Sequence, residues 1–192
     1  MSKGRLEAFS DGVLAIIITI MVLELKIPGG DQLSSLKPLL HTILSYVVSF
    51  IYVGIYWNNH HHLFQSVTHI KGNVLWKNLH LLFWLSLIPF VTAWVGEHQM
   101  SATPVAIYGV VLLMAAFAWY LLLTTLLKNE GPHSKLARSL GNDKKTFISI
   151  VIYFTGILSS FFIHPWLGYA CYILVAILWF IPDKRIEKLN EQ

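Results

Sequence analysis

The stretch RLEAFSDGVLAIIITIMVLELKIP, residues 5–28, decides how the rest of the chain is read. It opens with charged and polar side chains, Arg5, Glu7, Ser10 and Asp11, and continues as an apolar run from Val13 to Leu23 interrupted only by Thr19. Glu24 and Lys26 close it. At about 1.5 Å per helical residue, a helix from Leu6 to Ile27 is long enough to cross a hydrocarbon core of about 30 Å. Acidic residues stand at both ends of that crossing. Polar groups at membrane depth are costly and are usually kept because a pathway needs them. This helix is therefore the first candidate for the working element.

Composition points the same way. The chain has 192 residues, of which 55% are hydrophobic and only 12% charged, and its mean hydropathy is +0.60. About a quarter of the residues of a soluble domain are charged. Such a balance fits a polytopic membrane protein with little outside the bilayer. The single cysteine, Cys171, excludes an intramolecular disulfide. No basic patch with interleaved aromatics points to nucleic acid. Lys3 and Arg5 before an apolar run suggest a signal peptide, but Glu7 and Asp11 do not suit its basic start and no small-residue cleavage site follows. We read the segment as a retained helix.

Five further spans are expected. With the first at about 6–27, they fall at about 36–62, 75–96, 103–127, 146–163 and 165–182. Pro28-Gly29-Gly30 ends the first span. Trp76 and Trp94 sit near the ends of the third like an aromatic belt, and Pro89 is expected to kink it. The run from Thr146 to Pro182 has no formal charge. As one helix it would measure about 55 Å, too long for one crossing, so it is split at His164-Pro165.

Basic residues test this topology. With the N-terminus in the cytoplasm, the inside segments hold Lys3, Arg5, Lys71, Lys77, Lys128, Lys135, Arg138, Lys144, Lys145, Lys184, Arg185 and Lys188, leaving only Lys26 and Lys37 outside. The positive-inside rule therefore favours an all-α protein of six transmembrane helices in a cell inner or plasma membrane, both termini cytoplasmic. No internal repeat is visible, so the chain reads as one six-helix domain over residues 1–192.

Asp11 is the first candidate for chemistry. Span two runs back towards the cytoplasm, so Trp57, Asn58, Asn59 and His60-His61-His62 reach a similar depth. A carboxylate there needs a partner. We expect a hydrogen-bonded clamp joining Asp11 and Ser10 to one or two of those histidines, with Arg5 as a further partner. Consecutive helical residues point about 100° apart, so the three histidines do not converge on one ion, and no metal site or cofactor is expected. Phe9, Gly12, Ile16, Ile20, Leu23 and Ile27 form one stripe of the first helix, with Thr19 on its flank. The helix is apolar all round, so periodicity leaves open whether that stripe meets a pore, a protein core or lipid. Walker, nucleophile-elbow, voltage-sensor and TVGYG-type filter motifs are all missing, and no enzymatic activity is expected.

Arg5-x-x-x-Phe9-Ser10-Asp11, followed by Ile16, Thr19 and Leu23, resembles the first helix of the transmembrane protein 175 potassium channel family. The Trp57 to His62 segment resembles that family's second-helix motif, which here includes Trp57, Asn58, His60 and His61. The similarity runs through all six spans. It implies a potassium-permeable channel without a carbonyl filter, its pore lined by the first helices of a homotetramer, since this chain holds one repeat. It further implies that Ile16 is the hydrophobic constriction, that Ile20 and Leu23 are further apolar layers, and that Thr19 bears on selectivity. Arg5, Phe9, Ser10 and Asp11 would brace the pore helix against the second and third helices. The implied partners are a second, third and fourth copy of the chain, the lipid bilayer and monovalent cations, potassium foremost. A rival reading is a secondary transporter or proton carrier working through Asp11 and the histidines.

Overall fold

Apolar runs with few breakers fold as helices, because in hydrocarbon every backbone amide has to be satisfied within its own segment. The computed structural model describes residues 2–140 and 144–180, and no strand occurs among them. Its helices are α1 (Lys3–Leu23), α2 (Leu40–Gln65), α3 (Gly72–Ser86), α4 (Ile88–Glu97), α5 (Ala102–Glu130), α6 (Lys135–Leu140), α7 (Lys144–Phe162) and α8 (Pro165–Phe180). A 3₁₀ turn over Leu33–Leu39, with Pro38 inside it, leads into α2. Five stretches are long and apolar enough to cross a membrane, and the shorter α8 is apolar as well. The end of the expected sixth span, Ile181 and Pro182, lies outside the described residues, as do Lys184, Arg185 and Lys188.

Several boundaries differ from the sequence reading: α2 runs Leu40–Gln65 against the expected 36–62, and α1 and the third span differ for reasons the structure shows. α1 stops at Leu23, not Ile27. Pro28 disfavours helical backbone at the residue before it, and Lys26 turns away to donate to Glu97 at 2.6 Å. Ile27 thus leaves the stripe. The expected third span is two helices meeting at Leu87, because Pro89 offers no N–H and its ring crowds the carbonyl four residues back.

α5 is the hub, packed on α3, α4, α7 and α8, while α2 packs on α4 and α8. α7 and α8 cross closely. A Cβ on Gly156 would lie 3.1 Å from the Cβ of Cys171, and one on Gly168 would lie 3.2 Å from the Cβ of Ser160. Only glycine permits that approach, the usual device of membrane helices that lack a hydrophobic drive to associate. α1 stands at the edge of the bundle, resting on α2, α3 and α4.

Candidate functional site

The packing of α1 resolves what its periodicity leaves open. Leu6, Ser10, Leu14, Ile17 and Met21, recurring at three- and four-residue steps, are buried against the bundle. Ile16, Ile20 and Leu23 are 57%, 43% and 80% exposed. Phe9, Gly12, Ala15 and Thr19 share that outward side. The expected stripe therefore lies on the side turned away from the chain's own core. A groove of about 470 Å³ runs beside it, bounded by Ile16, Ile20 and Glu24 on one wall and Pro89, Phe90 and Ala93 on the other.

Thr19 is the hydroxyl within this apolar side. It donates to its own helix, 2.9 Å from the Ile16 carbonyl and 3.1 Å from that of Ala15. Its proton is thereby turned towards the backbone. The oxygen lone pairs point outward, the arrangement a cation prefers.

Ser10 faces inward, where a short polar chain ties three helices. Ser10 Oγ donates to the Leu6 carbonyl at 2.9 Å, so it accepts from Asn78 Nδ2, also at 2.9 Å. Asn78 then presents its Oδ1 to His60 Nε2 at 2.8 Å. Followed in that order, the bonds require His60 to carry a proton on Nε2 and to donate it. Ser10, Asn78 and His60 are all buried. α1, α3 and α2 are thus joined through side chains that water does not reach.

Asp11 takes a different partner from the one expected. Adjacent helical residues diverge by about 100°, so with Ser10 pointing inward Asp11 points along the edge. There its Oδ1 accepts from Trp57 Nε1 at 3.1 Å. The clamp between spans one and two is therefore two contacts, Asp11 with Trp57 and Ser10 with His60 by way of Asn78. The predicted pairing of Asp11 with a histidine is corrected to Trp57.

The histidine triplet splays. His60 goes to Asn78, His61 stacks on the Trp57 ring and lies 2.8 Å from Gln65 Nε2, and His62 turns a third way. Asn58 is exposed, and Asn59 donates to the Ile55 carbonyl at 2.8 Å. Arg5 was expected to join the clamp. It is exposed, with no side-chain hydrogen bond or ion pair among the described residues. Lys3 holds the start of α1 instead, donating to the Val67 carbonyl at 3.1 Å and that of Gln65 at 3.5 Å. Asn78 was missed by sequence reasoning. Its signal was an amide inside an apolar span, Trp76-Lys77-Asn78-Leu79, that had to bond to something once buried.

At the other end of α1, the Lys26–Glu97 pair ties the loop to the end of α4. The hydrogen bond and charge of Glu97 push the Lys26 ammonium's pKa up.

A bundle of long apolar helices with buried polar ties and no extramembrane domain among the described residues defines a multi-pass membrane protein. Residues 5–89 match the family described as "Endosomal/lysosomal potassium channel TMEM175". A protein of Chryseobacterium sp. (strain P1-3) named "Potassium channel HX13_20290" is 57% identical over 188 residues, 98% of this chain and 97% of that one. "Potassium channel B446_29190" of Streptomyces collinus is 36% identical over 125 residues, 61% of each chain. The crystal structure of a lysosomal potassium-selective channel TMEM175 homolog from Chamaesiphon minutus superposes with a TM-score of 0.80 and 28% identity, covering 93% of this chain and 96% of that one. The chain belongs to the TMEM175 family of cation channels.

Proposed function

We propose that the protein is a potassium-permeable cation channel whose pore is formed by α1 from each subunit of a homotetramer, without a carbonyl filter. The observation that carries this reading is the two-sidedness of α1. Its inner side is seated in the bundle and tied by Ser10, Asn78 and His60, while Ile16, Ile20 and Leu23 are left facing outward on one line. Around an axis those three positions make stacked apolar rings, and a narrow apolar ring passes ions only when it is wet. Thr19 supplies oxygen lone pairs between the Ile16 and Leu23 layers and would be the contact that bears on selectivity. The names of the bacterial relatives support potassium as the ion. On this reading the protein sits in the inner or plasma membrane with both termini cytoplasmic. Lys3, Arg5 and Asp11 lie at the inner end of α1, and Glu24 at the outer.

The test is flux from liposomes holding the purified protein, with potassium and sodium gradients compared. Potassium efflux exceeding sodium efflux, and raised by Ile16→Ala, is the expected result. Potassium flux unchanged by that substitution would remove Ile16 from the constriction.

A further inference from the structure

The end of the α3–α5 pair where α3 begins carries a cluster of cations that the pore reading does not use. Asn129 Nδ2, near the end of α5, donates at 3.2 Å to Asn73 Oδ1, in the first turn of α3. That bond fixes which residues of the two helices share a level. Lys128 precedes Asn129, Lys71 stands two residues before Asn73, and Lys77 follows Asn73 by four, on the same side of α3. Lys71 and Lys128 are exposed and Lys77 is half-buried. None of the three has a side-chain hydrogen bond or ion pair among the described residues.

Like charges gathered at one level repel unless a neighbour or a ligand neutralises them. The acid nearest in sequence, Glu130, is engaged elsewhere. Its carboxylate accepts from Thr68 N at 2.9 Å, Thr68 Oγ1 at 3.0 Å and His69 N at 3.3 Å, all in the loop between α2 and α3. Asn73 Nδ2 is a further donor that no acceptor takes among the described residues. The joint is therefore rich in donors and poor in acceptors, which complements a phosphate. Its flank is apolar. Trp76, beside Lys77, is 75% exposed, and Leu79 and Phe83 follow it at steps of three and four on the same side of α3, exposed as well. A soluble anion has no use for such a track, whereas a lipid needs one for its acyl chain. An exposed indole commonly marks the boundary between head groups and hydrocarbon.

We propose that this joint binds the head group of an anionic phospholipid of the inner leaflet, one per chain. The phosphate lies among Lys71, Asn73, Lys77 and Lys128, and an acyl chain runs towards the bilayer centre along Trp76, Leu79 and Phe83. Basic positions between helices on the cytoplasmic side hold anionic head groups, each lysine adding about fivefold in affinity. General attraction of a leaflet for scattered lysines asks only for charge. Here the bond between Asn73 and Asn129 holds the cations at one place, and a lipid bound there is a further tie between α3 and α5. The loop that Glu130 fixes is also the one whose Val67 carbonyl accepts from Lys3 of α1, so the lipid stands beside the support of that helix. The inference rests on the membrane-spanning reading, with the start of α3 on the cytoplasmic side, and not on the axial pore.

The experiment titrates full-length protein in detergent with phosphatidylglycerol or phosphatidylcholine and counts lipid adducts by native mass spectrometry. Flux is not read, so a failed pore leaves the result untouched. Phosphatidylglycerol should saturate at one per chain and survive activation that strips phosphatidylcholine. Lys77→Gln with Lys128→Gln should weaken its binding about thirtyfold. Lys37→Gln with Arg138→Gln removes the same charge away from the joint and should leave the binding unchanged. If the first pair does not fold, Lys128→Gln alone, at an exposed position, carries the test with about a fivefold loss. Millimolar inorganic phosphate should leave the lipid in place, because it has no acyl chain to lay along Trp76; displacement by it would reduce the joint to an anion site and overturn the lipid assignment. Phosphatidylglycerol held no better than phosphatidylcholine, spread over many equal weak places, or lost as much from the control pair would overturn the proposal.

Discussion

Ser10 and Asp11 are neighbours in sequence and do unlike work. Ser10 receives the Asn78 amide in a dry place, so Ser10→Ala leaves a buried donor without an acceptor. Such a loss costs about 1–3 kcal/mol, and a similar loss is expected for Asn78→Ala, which leaves the buried His60 Nε2–H without its acceptor while Ser10 keeps its bond to the Leu6 carbonyl. Thermal unfolding in detergent measures it, and a melting point equal to the native protein's would mean the chain of bonds contributes nothing. Asp11→Asn keeps an acceptor for the Trp57 indole and should be far milder. A melting point as low as that of Ser10→Ala would show that the charge, not the bond, is what matters. The inward chain could not be read from the sequence, because Asn78 is 68 residues from Ser10 and nothing local joins them. The Arg5 to Asp11 motif and the Trp57 to His62 segment were legible as a meeting of polar groups at one depth. Which atom met which was not.

For the elements, the telling pair is α7 with α8. Gly156 and Gly168 bring two short helices into close approach, and a branched side chain at either meets the opposite helix. Gly168→Val is expected to destabilise the protein by about 1–3 kcal/mol or more, as overpacking does, read as a lower melting point in detergent. Tolerance of valine there would mean the helices separate freely. The sequence marked the break between these helices through Pro165 and the bend of the third span through Pro89, since proline acts on its own backbone and needs no tertiary partner. It overran α1 by four residues because the contact that draws Lys26 aside is on Glu97, in another helix.

At the scale of the whole molecule, α1 stands at the rim of its own bundle with an apolar side uncovered. On the proposed pore reading, that side closes only against other copies. Native mass spectrometry of the detergent-solubilised protein is expected to count four subunits, and a monomer under conditions that preserve flux would remove the axial pore. Glu24 caps α1 at the proposed outer mouth, with Asp31 in the following loop. A ring of carboxylates raises the local cation concentration, more so at low salt. Neutralising both with Glu24→Gln and Asp31→Asn should lower inward potassium current in dilute salt and have little effect in concentrated salt. Equal currents at both concentrations would place the acids away from the ion path.

The sequence by itself determined that this chain is helical and membrane-embedded, and where its helices break. Those properties depend on transfer of apolar residues out of water and on proline and glycine geometry, which act residue by residue. It also determined, through Arg5-x-x-x-Phe9-Ser10-Asp11, the family to which the chain belongs. Only the tertiary structure decided which side of α1 is buried, that Asp11 binds Trp57 and not a histidine, and that Asn78 links Ser10 to His60. An all-apolar helix has no amphipathic signal to orient it. A buried polar group chooses its partner by distance and direction, and both exist only after the helices have packed.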